Sequence, residues 1–428
     1  MNDPSFLPLG WRNAWYDQRA PFGIGQMDRR SHMWVLGASG TGKTSFIERC
    51  LQQDIQAGRG VGVIDPHGDL AAAVLAAVPP ERINDVVLLD MMDTAWPVAL
   101  NVLQGASEPE TVAASLVGAF KNHFADSWGP RLEYCLYMCI ASLTAANNTS
   151  LLGVNRLLVD EAYRAQILGM VTDPAVQMFW QYEFPTHDRD RREWVAPIQN
   201  KIGQFFSFPV IRNCLGQASG RLSVREIMDR RAIFIARIPR AVLGLSGTNL
   251  FGSLLVSLFE VAALQRQDTP EEDRVDFHLY VDEFQNFSSL TFAHALSEVR
   301  KYRLNLILVN QYTKSLEPQV LEAVLGNCAT IISFRVNGQD GELLSHAYAD
   351  DIPAKRFVNL ARGQILVRLQ EHGVQQVPFE GVTFAPVSVD YGMSEVIRRQ
   401  SRARYARPRT QVEQQIERFL LSARKSPP

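Results

Sequence analysis

Met33-Trp34-Val35-Leu36-Gly37-Ala38-Ser39-Gly40-Thr41-Gly42-Lys43-Thr44-Ser45-Phe46 is the stretch from which the rest of the chain can be read. Gly37, Gly42, Lys43 and Thr44 fit the pattern G-x-x-x-x-G-K-[ST]. The apolar run 33–36 before it predicts a buried strand, and residues 44–53 after it place Phe46, Ile47 and Leu51 at helical spacing. Glycines let such a loop curl around a phosphate chain with its N–H groups pointing inward. Gly37, Ser39, Gly40, Thr41, Gly42, Lys43, Thr44 and Ser45 are therefore expected to cradle the phosphates of ATP. Lys43 would neutralise the β- and γ-phosphates, Thr44 would be a Mg²⁺ ligand, and the helix N-terminus would add its dipole. A glycine-rich junction that binds nothing is the alternative, and a strand and a helix in the right places weigh against it.

Phe277-His278-Leu279-Tyr280-Val281-Asp282-Glu283 is a second apolar run, ending in two acids. If it is a strand of the same sheet, Asp282 reaches Mg²⁺ through water and Glu283 polarises the attacking water. Adjacent acids after a strand can also cap a helix. Residues 304–309 form another expected strand that exits into Asn310-Gln311, which makes Gln311 a candidate to sense the γ-phosphate and hold the water in line. Arg300 precedes that strand and so belongs to the opposite sheet edge. Six strand residues separate the two edges by roughly 20 Å, more than a guanidinium can span. Arg300 then serves either a neighbouring subunit's nucleotide in trans or simply the negative end of its own helix.

The P-loop pattern does not distinguish ATPase from GTPase or kinase. No N-K-x-D base-reading motif occurs, since Asn200-Lys201-Ile202-Gly203 lacks the acid, and nothing resembles the lid and acceptor pocket of a small-molecule kinase. The 428 residues, 46% hydrophobic, suffice for two or three domains, and a net charge of −2 leaves no global basic field for nucleic acid. Cys50, Cys135, Cys139, Cys214 and Cys328 show no C-x-x-C spacing, and Cys135 and Cys139 lie one helical turn apart. Reduced buried thiols in a cytoplasmic protein are expected, with no metal cage. No apolar run near 18 residues and no signal segment is evident, which predicts no membrane insertion.

Residues 1–31, with Phe6, Trp11, Trp15, Tyr16, Pro21, Gly23 and Gly25, read as an irregular N-terminal arm. Strand and helix patterns alternate from 32 to 107 and again from 218 to 385, with strands expected near 61–64, 86–89, 232–238, 277–281, 304–309, 330–334 and 364–369. This is an α/β nucleotide-binding domain with a mostly parallel central sheet. Between its halves, 108–217 shows only helical spacing, as in Leu116, Phe120 and Phe124, then Leu132, Leu136, Ile140 and Leu143, then Trp194, Ile198, Ile202 and Phe205. It reads as an inserted all-α domain. Residues 386–428 form a basic helical tail, and from Met393 onward nine Lys or Arg face three acids. That tail is either a solvated helix or an arm that contacts phosphates or a partner.

Together the strings Phe22-Gly23-Ile24, Asp28-Arg29-Arg30-Ser31-His32, the P-loop, Val63-Ile64-Asp65-Pro66-His67-Gly68-Asp69-Leu70, Tyr280-Val281-Asp282-Glu283-Phe284, and Ser297-Glu298-Val299-Arg300-Lys301-Tyr302-Arg303-Leu304 with Gln311 resemble the TraG/TraD-type conjugative DNA-transfer ATPases. These are type IV secretion coupling proteins of the HerA/FtsK superfamily, and the similarity runs from about Phe22 to Phe384. The resemblance implies a RecA-like P-loop NTPase, a homo-oligomer working as a hexameric ring, that moves DNA through a central pore using ATP and Mg²⁺. It implies the roles given above for Lys43, Thr44, Asp282, Glu283 and Gln311, and favours the trans role for Arg300. His32 and Asp65 match family positions and are expected to be structural. Membrane-anchored members begin with transmembrane helices, which this chain lacks, so the expectation is a soluble form working beside a nuclease or relaxase, or recruited to the inner membrane by a separate secretion-system subunit. An ATPase with protein cargo, as in secretion or pilus assembly, and a nucleotide-switched scaffold are the rival readings.

Overall fold

The structure is a computed structural model that describes residues 6–13, 19–104 and 109–422. Trp15 and Tyr16 of the expected arm and the last six residues of the tail lie outside them. The chain divides into two compact units, one of residues 1–89, 225–237 and 262–398, the other of 90–224, 238–261 and 399–428.

The first unit is built on an 11-stranded sheet. In chain order the strands are β1 (Phe6–Asn13), β2 (Arg19–Gly25), β3 (Met33–Leu36), β4 (Gly60–Asp65), β5 (Val86–Asp90), β6 (Ile233–Arg237), β7 (Phe277–Val281), β8 (Leu304–Asn310), β9 (Thr330–Ser333), β10 (Gln364–Arg368), β11 (Gln370–Glu371), β12 (Val374–Gln375) and β13 (Phe379–Thr383). The sheet order is β2-β1-β13-β10-β9-β3-β8-β7-β4-β6-β5, and β11 and β12 form a separate ribbon. From β9 to β6 neighbouring strands run parallel, while β10, β13, β1 and β2 pair antiparallel along one side. The central strands β3, β4, β7 and β8 are buried along their whole length. Both faces are covered, and a parallel sheet so covered reads as a continuous apolar run rather than an alternation.

The N-terminal segment is a correction to the expected irregular arm, because it forms the β1–β2 ribbon on the sheet's antiparallel side. Prolines and glycines argued against strands there. Pro21 is tolerated because β2 is an edge strand, and Pro8 because it sits where the β1–β2 register shifts.

The second unit is helical, with described helices at Pro109–His123, Pro130–Thr144, Gly153–Val159, Glu161–Leu168, Pro174–Met178, Asp188–Phe206 and Pro209–Leu215. Leu116, Phe120, Leu136, Ile140, Ile198, Ile202 and Phe205 are buried, while Phe124 and Trp194 are half-buried at the ends of their stripes. This unit is wider than the expected 108–217, because the tail helix Arg409–Ser422 also belongs to it, burying Val412 and Ile416. Arg156 stacks on Tyr163 and on the tail's Phe419 at 4.3 and 4.8 Å. The tail is thus a docked helix; its charge run concealed an apolar stripe too sparse to stand out in the sequence. The helical stretch Arg240–Asp268 is long and apolar enough to cross a membrane, contrary to expectation, yet 72% of its apolar window is buried, as in a core helix. All five cysteines are free and buried.

Behind the central strands lies a buried ion pair. Arg29 donates two hydrogen bonds of 2.7 Å to the two oxygens of Asp54, and the Tyr280 hydroxyl donates to Asp54 at 2.6 Å. Arg59 adds a second cation at 2.8 Å. Burial alone would raise the Asp54 carboxyl, but Arg29, His278 and Arg59 hold it well below the usual carboxylate range. Removing the carboxylate leaves Arg29 buried without a counter-charge, so Asp54→Ala is expected to cost about 3–5 kcal/mol. Urea unfolding of the first unit checks this, and an unchanged midpoint would show that the pair is dispensable.

Candidate functional site

The parallel register brings the C-terminal ends of four strands to one edge. Leu36 pairs with Asn310, Val281 with Leu308, and Ile64 with Val281. Hence Gly37, Gln311, Asp282 and Asp65, each the terminal residue of its strand or one beyond it, gather at that edge.

Between β3 and the helix Lys43–Gln56 the loop turns through left-handed backbone at Gly40 (φ 75°) and Gly42 (φ 115°). Gly42 has a conformation that L side chains rarely adopt, and a Cβ on Gly37 would lie 2.5 Å from Cβ of Phe334. The backbone N–H groups of Ser39, Gly40, Thr41 and Gly42 donate to no acceptor among the described residues. That is the form of an anion nest, extended by the free N–H groups of the helix's first turn. Thr41 braces the loop through its hydroxyl to Ala38 O at 2.7 Å and its own carbonyl, which accepts from Gly363 N–H at 3.0 Å. Lys43 is buried, and its Nζ donates to the carbonyl of Gly37 and, at 3.1 Å, to that of Ala38. Burial lowers its pKa, while Glu283 and Asp282 oppose the shift, so its charge is held by the acids across the site. Thr44 is exposed and Ser45 half-buried in the same first turn.

Strand β8 lies between β3 and β7, and this order lets Gln311 touch both sides. Its Nε2 donates to Oε1 of Glu283, and its Oε1 accepts from the Ser39 hydroxyl at 3.2 Å. Glu283 sits in left-handed backbone (φ 52°) with its side chain buried. Its other oxygen accepts from Gln285 Nε2, and the His67 ring lies 3.8 Å away. Gln285 Oε1 in turn accepts from Asn310 Nδ2 at 2.9 Å, and Asn310 Oδ1 from Trp34 Nε1 at 2.9 Å. An unbroken chain of side chains thus runs from the P-loop strand through the carboxylate of Glu283 to the loop itself. Gln285, Asn310 and Trp34 escaped the sequence reading. The available signal was the amide two residues after Glu283, near enough to fold back once that backbone turns left-handed.

Asp282 hangs its N–H on Ile64 O at 3.1 Å. Its carboxyl is pushed up to about 7, by burial first and then by the charges of Asp65 and Glu283, with Lys43 opposing. Among the described residues no three His, Cys, Asp or Glu form a metal cage. The set that remains, one carboxylate and the Thr44 hydroxyl, suits Mg²⁺ completed by phosphate oxygens and waters, as that ion prefers. Asp65 is taken up structurally, accepting from His67 N–H and Ala71 N–H at 2.8 Å each. So is His32: its Nδ1 accepts from Leu306 N–H at 3.1 Å, and its Nε2 donates to Leu296 O at 2.8 Å, which fixes the neutral tautomer. Burial lowers that imidazole to about 4. Arg300 is not brought to the site. It is exposed on the turn Arg300–Tyr302 at the start of β8, the opposite edge of the sheet.

The family model described as "Type IV secretion-system coupling protein DNA-binding domain" matches residues 21–348. Among solved structures, the bacterial conjugative coupling protein TrwBdeltaN70 in its unbound form is similar at 12% identity and TM-score 0.64, with 87% of this chain and 89% of that chain covered. Plasmid coupling protein TrwB in complex with ADP and Mg²⁺ is similar at 13% identity and TM-score 0.63, covering 87% and 89%. VirB4 of Thermoanaerobacter pseudethanolicus is similar at 14% identity and TM-score 0.55, covering 90% and 98%. At such identities the likeness is one of fold, a RecA-like P-loop NTPase. No curated protein matches the sequence.

The hydrogen bond from Gln285 to Glu283 is of the charge-assisted kind, worth about 1.5–3 kcal/mol. Gln285→Ala is therefore expected to lower the turnover of bound nucleotide by about one to two orders of magnitude while nucleotide affinity stays within about twofold. Single-turnover hydrolysis alongside equilibrium binding separates the two, and an equal loss in both would make Gln285 a scaffold residue only.

Proposed function

Because this chain belongs to the family of type IV secretion-system coupling protein DNA-binding domains, we propose that it hydrolyses ATP to drive DNA through the pore of a hexameric ring. The observation that carries the reading is the junction of the P-loop with Glu283 through Gln311. The N–H nest and Lys43 bind the phosphates and neutralise the charge that builds on them as the γ-phosphoryl group leaves. Thr44 and Asp282 would hold Mg²⁺, which would supply further neutralisation of the phosphate charge. Glu283 takes up the proton of the attacking water, and Gln311 aligns that water while its other end rests on Ser39 of the loop. This coupling lets the state of the γ-phosphate reach β8 and the segment beyond it.

Arg300, at the far sheet edge, completes a neighbouring subunit's site, which is the physical reason for the ring. DNA is gripped through its phosphates, giving affinity with little sequence readout. Solved complexes of TrwB hold non-hydrolysable GTP and ATP analogues and ADP with Mg²⁺, which supports a nucleoside phosphate and this ion as ligands. The chain works in the cytoplasm, where its free cysteines stay reduced, recruited to the inner membrane by a separate subunit and handed its cargo by a relaxase, nuclease or secretion-system partner.

Steady-state hydrolysis with and without single- and double-stranded DNA, with Glu283→Gln as the blank, tests the motor. Strong stimulation by one form is expected; a slow rate indifferent to both shifts the reading to a protein-cargo ATPase or a nucleotide-switched scaffold. Mixed rings test the trans site. Arg300→Ala and Lys43→Ala proteins, each inactive alone, should recover part of the activity together, and silence of every mixture would rule out a shared site.

A further inference from the structure

The basic tail brings part of its charge to a cavity inside the helical unit. A hollow of about 210 Å³ is lined by Ser219, Gly220 and Arg221 on one side and by Arg404, Tyr405 and Arg407 on the other. No carboxylate lines it. Its walls are pinned through the backbone: Ala99 N–H donates to Tyr405 O at 3.0 Å, Arg409 N–H to Ala95 O at 2.9 Å, and Val98 bridges Ala406. The Arg407 guanidinium is held across the hollow by the Ser219 hydroxyl at 3.1 Å and by Gln415 at 3.3 Å, both neutral. Arg221 is exposed, and neither it nor Arg407 has an acidic partner among the described residues. Their neighbours differ, since Arg402 pairs with Asp93 at 2.6 Å and Arg409 with Glu413 at 2.7 Å. In a chain of net charge −2, arginines left without counter-charge around a braced, carboxylate-free hollow mark an anion site. Size narrows the ligand. Small-molecule pockets run to about 300–1,000 Å³, so this one takes a single phosphate group with some water rather than a whole nucleotide.

We propose that this hollow binds one phosphate group of a DNA backbone, giving the helical unit its own contact with the track. Guanidinium forks match phosphate oxygens in pairs, and Ser219 offers a hydroxyl beside them. The residues 403–407 that form one wall lie beyond the span matched by the family model. Phosphate as the ligand follows from the hollow itself; DNA as its source rests on the proposed motor.

The experiment compares wild type with Arg221→Gln, an exposed residue whose loss leaves the fold intact, and with Arg221→Gln/Arg407→Gln. Anisotropy of labelled DNA is followed against salt. Losing one phosphate contact should weaken binding about tenfold for the double variant and flatten the slope of log K against log[salt] by about 0.7 for single-stranded or 0.9 for double-stranded DNA, with hydrolysis in the absence of DNA unchanged. Unaltered affinity and slope would overturn the DNA assignment. A second arm needs no DNA: with the nucleotide site filled by ADP, inorganic phosphate should raise the melting temperature of wild type more than that of either variant. Equal responses would overturn the phosphate site. A phosphate response in wild type that the variants lose, with no DNA bound by any of the proteins, would keep the site and overturn both its DNA source and the motor.

Discussion

The nucleotide-binding unit depends on a buried charge pair that never meets the nucleotide. Asp54 lies on the P-loop helix, Tyr280 on β7 and Arg29 just after β2, so the contacts among them lock the helix that presents Lys43 to the strand that presents Asp282 and Glu283. Two oxygens accepting from a forked guanidinium specify both distance and orientation, which apolar packing alone does not. The neighbouring residues of the same short string act alike. Asp28 accepts from the His372 and Gly373 N–H groups at 2.9 Å each, and Arg30 reaches Asp276 at 2.8 Å. The string Asp28-Arg29-Arg30 is thus a set of ties among the β2 end, the P-loop helix, β7 and the β11–β12 ribbon.

With the frame held in this way, the site itself can carry stress. Three carboxylates, Asp65, Asp282 and Glu283, approach one another near a buried lysine, and Asp282 is raised to about 7 as a result. Each answers the crowding differently. Asp65 is satisfied by two backbone N–H groups, Glu283 by two amides, and Asp282 by a single backbone N–H, that of Glu283 at 3.1 Å on Oδ1, which leaves its other oxygen suited to a cation. Groups of one chemical type thereby acquire three separate tasks from their hydrogen-bond partners alone.

The helical unit shows the same economy with arginine. Arg156 is stacked between aromatic rings, Arg402 and Arg409 are neutralised by acids, and Arg221 and Arg407 keep their charge for a hollow. A run that reads as uniform basic sequence separates into structural and available charge once the helix docks.

By itself, the sequence determined the P-loop, the order of the central strands along the chain, the acidic end of β7 and the helical character of the insertion. Those features are local: a glycine pattern, an apolar run or a 3.6-residue period declares itself within a dozen residues. Only the tertiary structure decided that β8 lies between β3 and β7, that Gln285, Asn310 and Trp34 join Glu283 to the strand β3 that precedes the P-loop, that Pro8 and Pro21 stand in strands, and that the basic tail folds back onto the helical unit. Each of these depends on partners tens to hundreds of residues away, and local propensity carries no record of which strand becomes a neighbour or which arginine finds an acid.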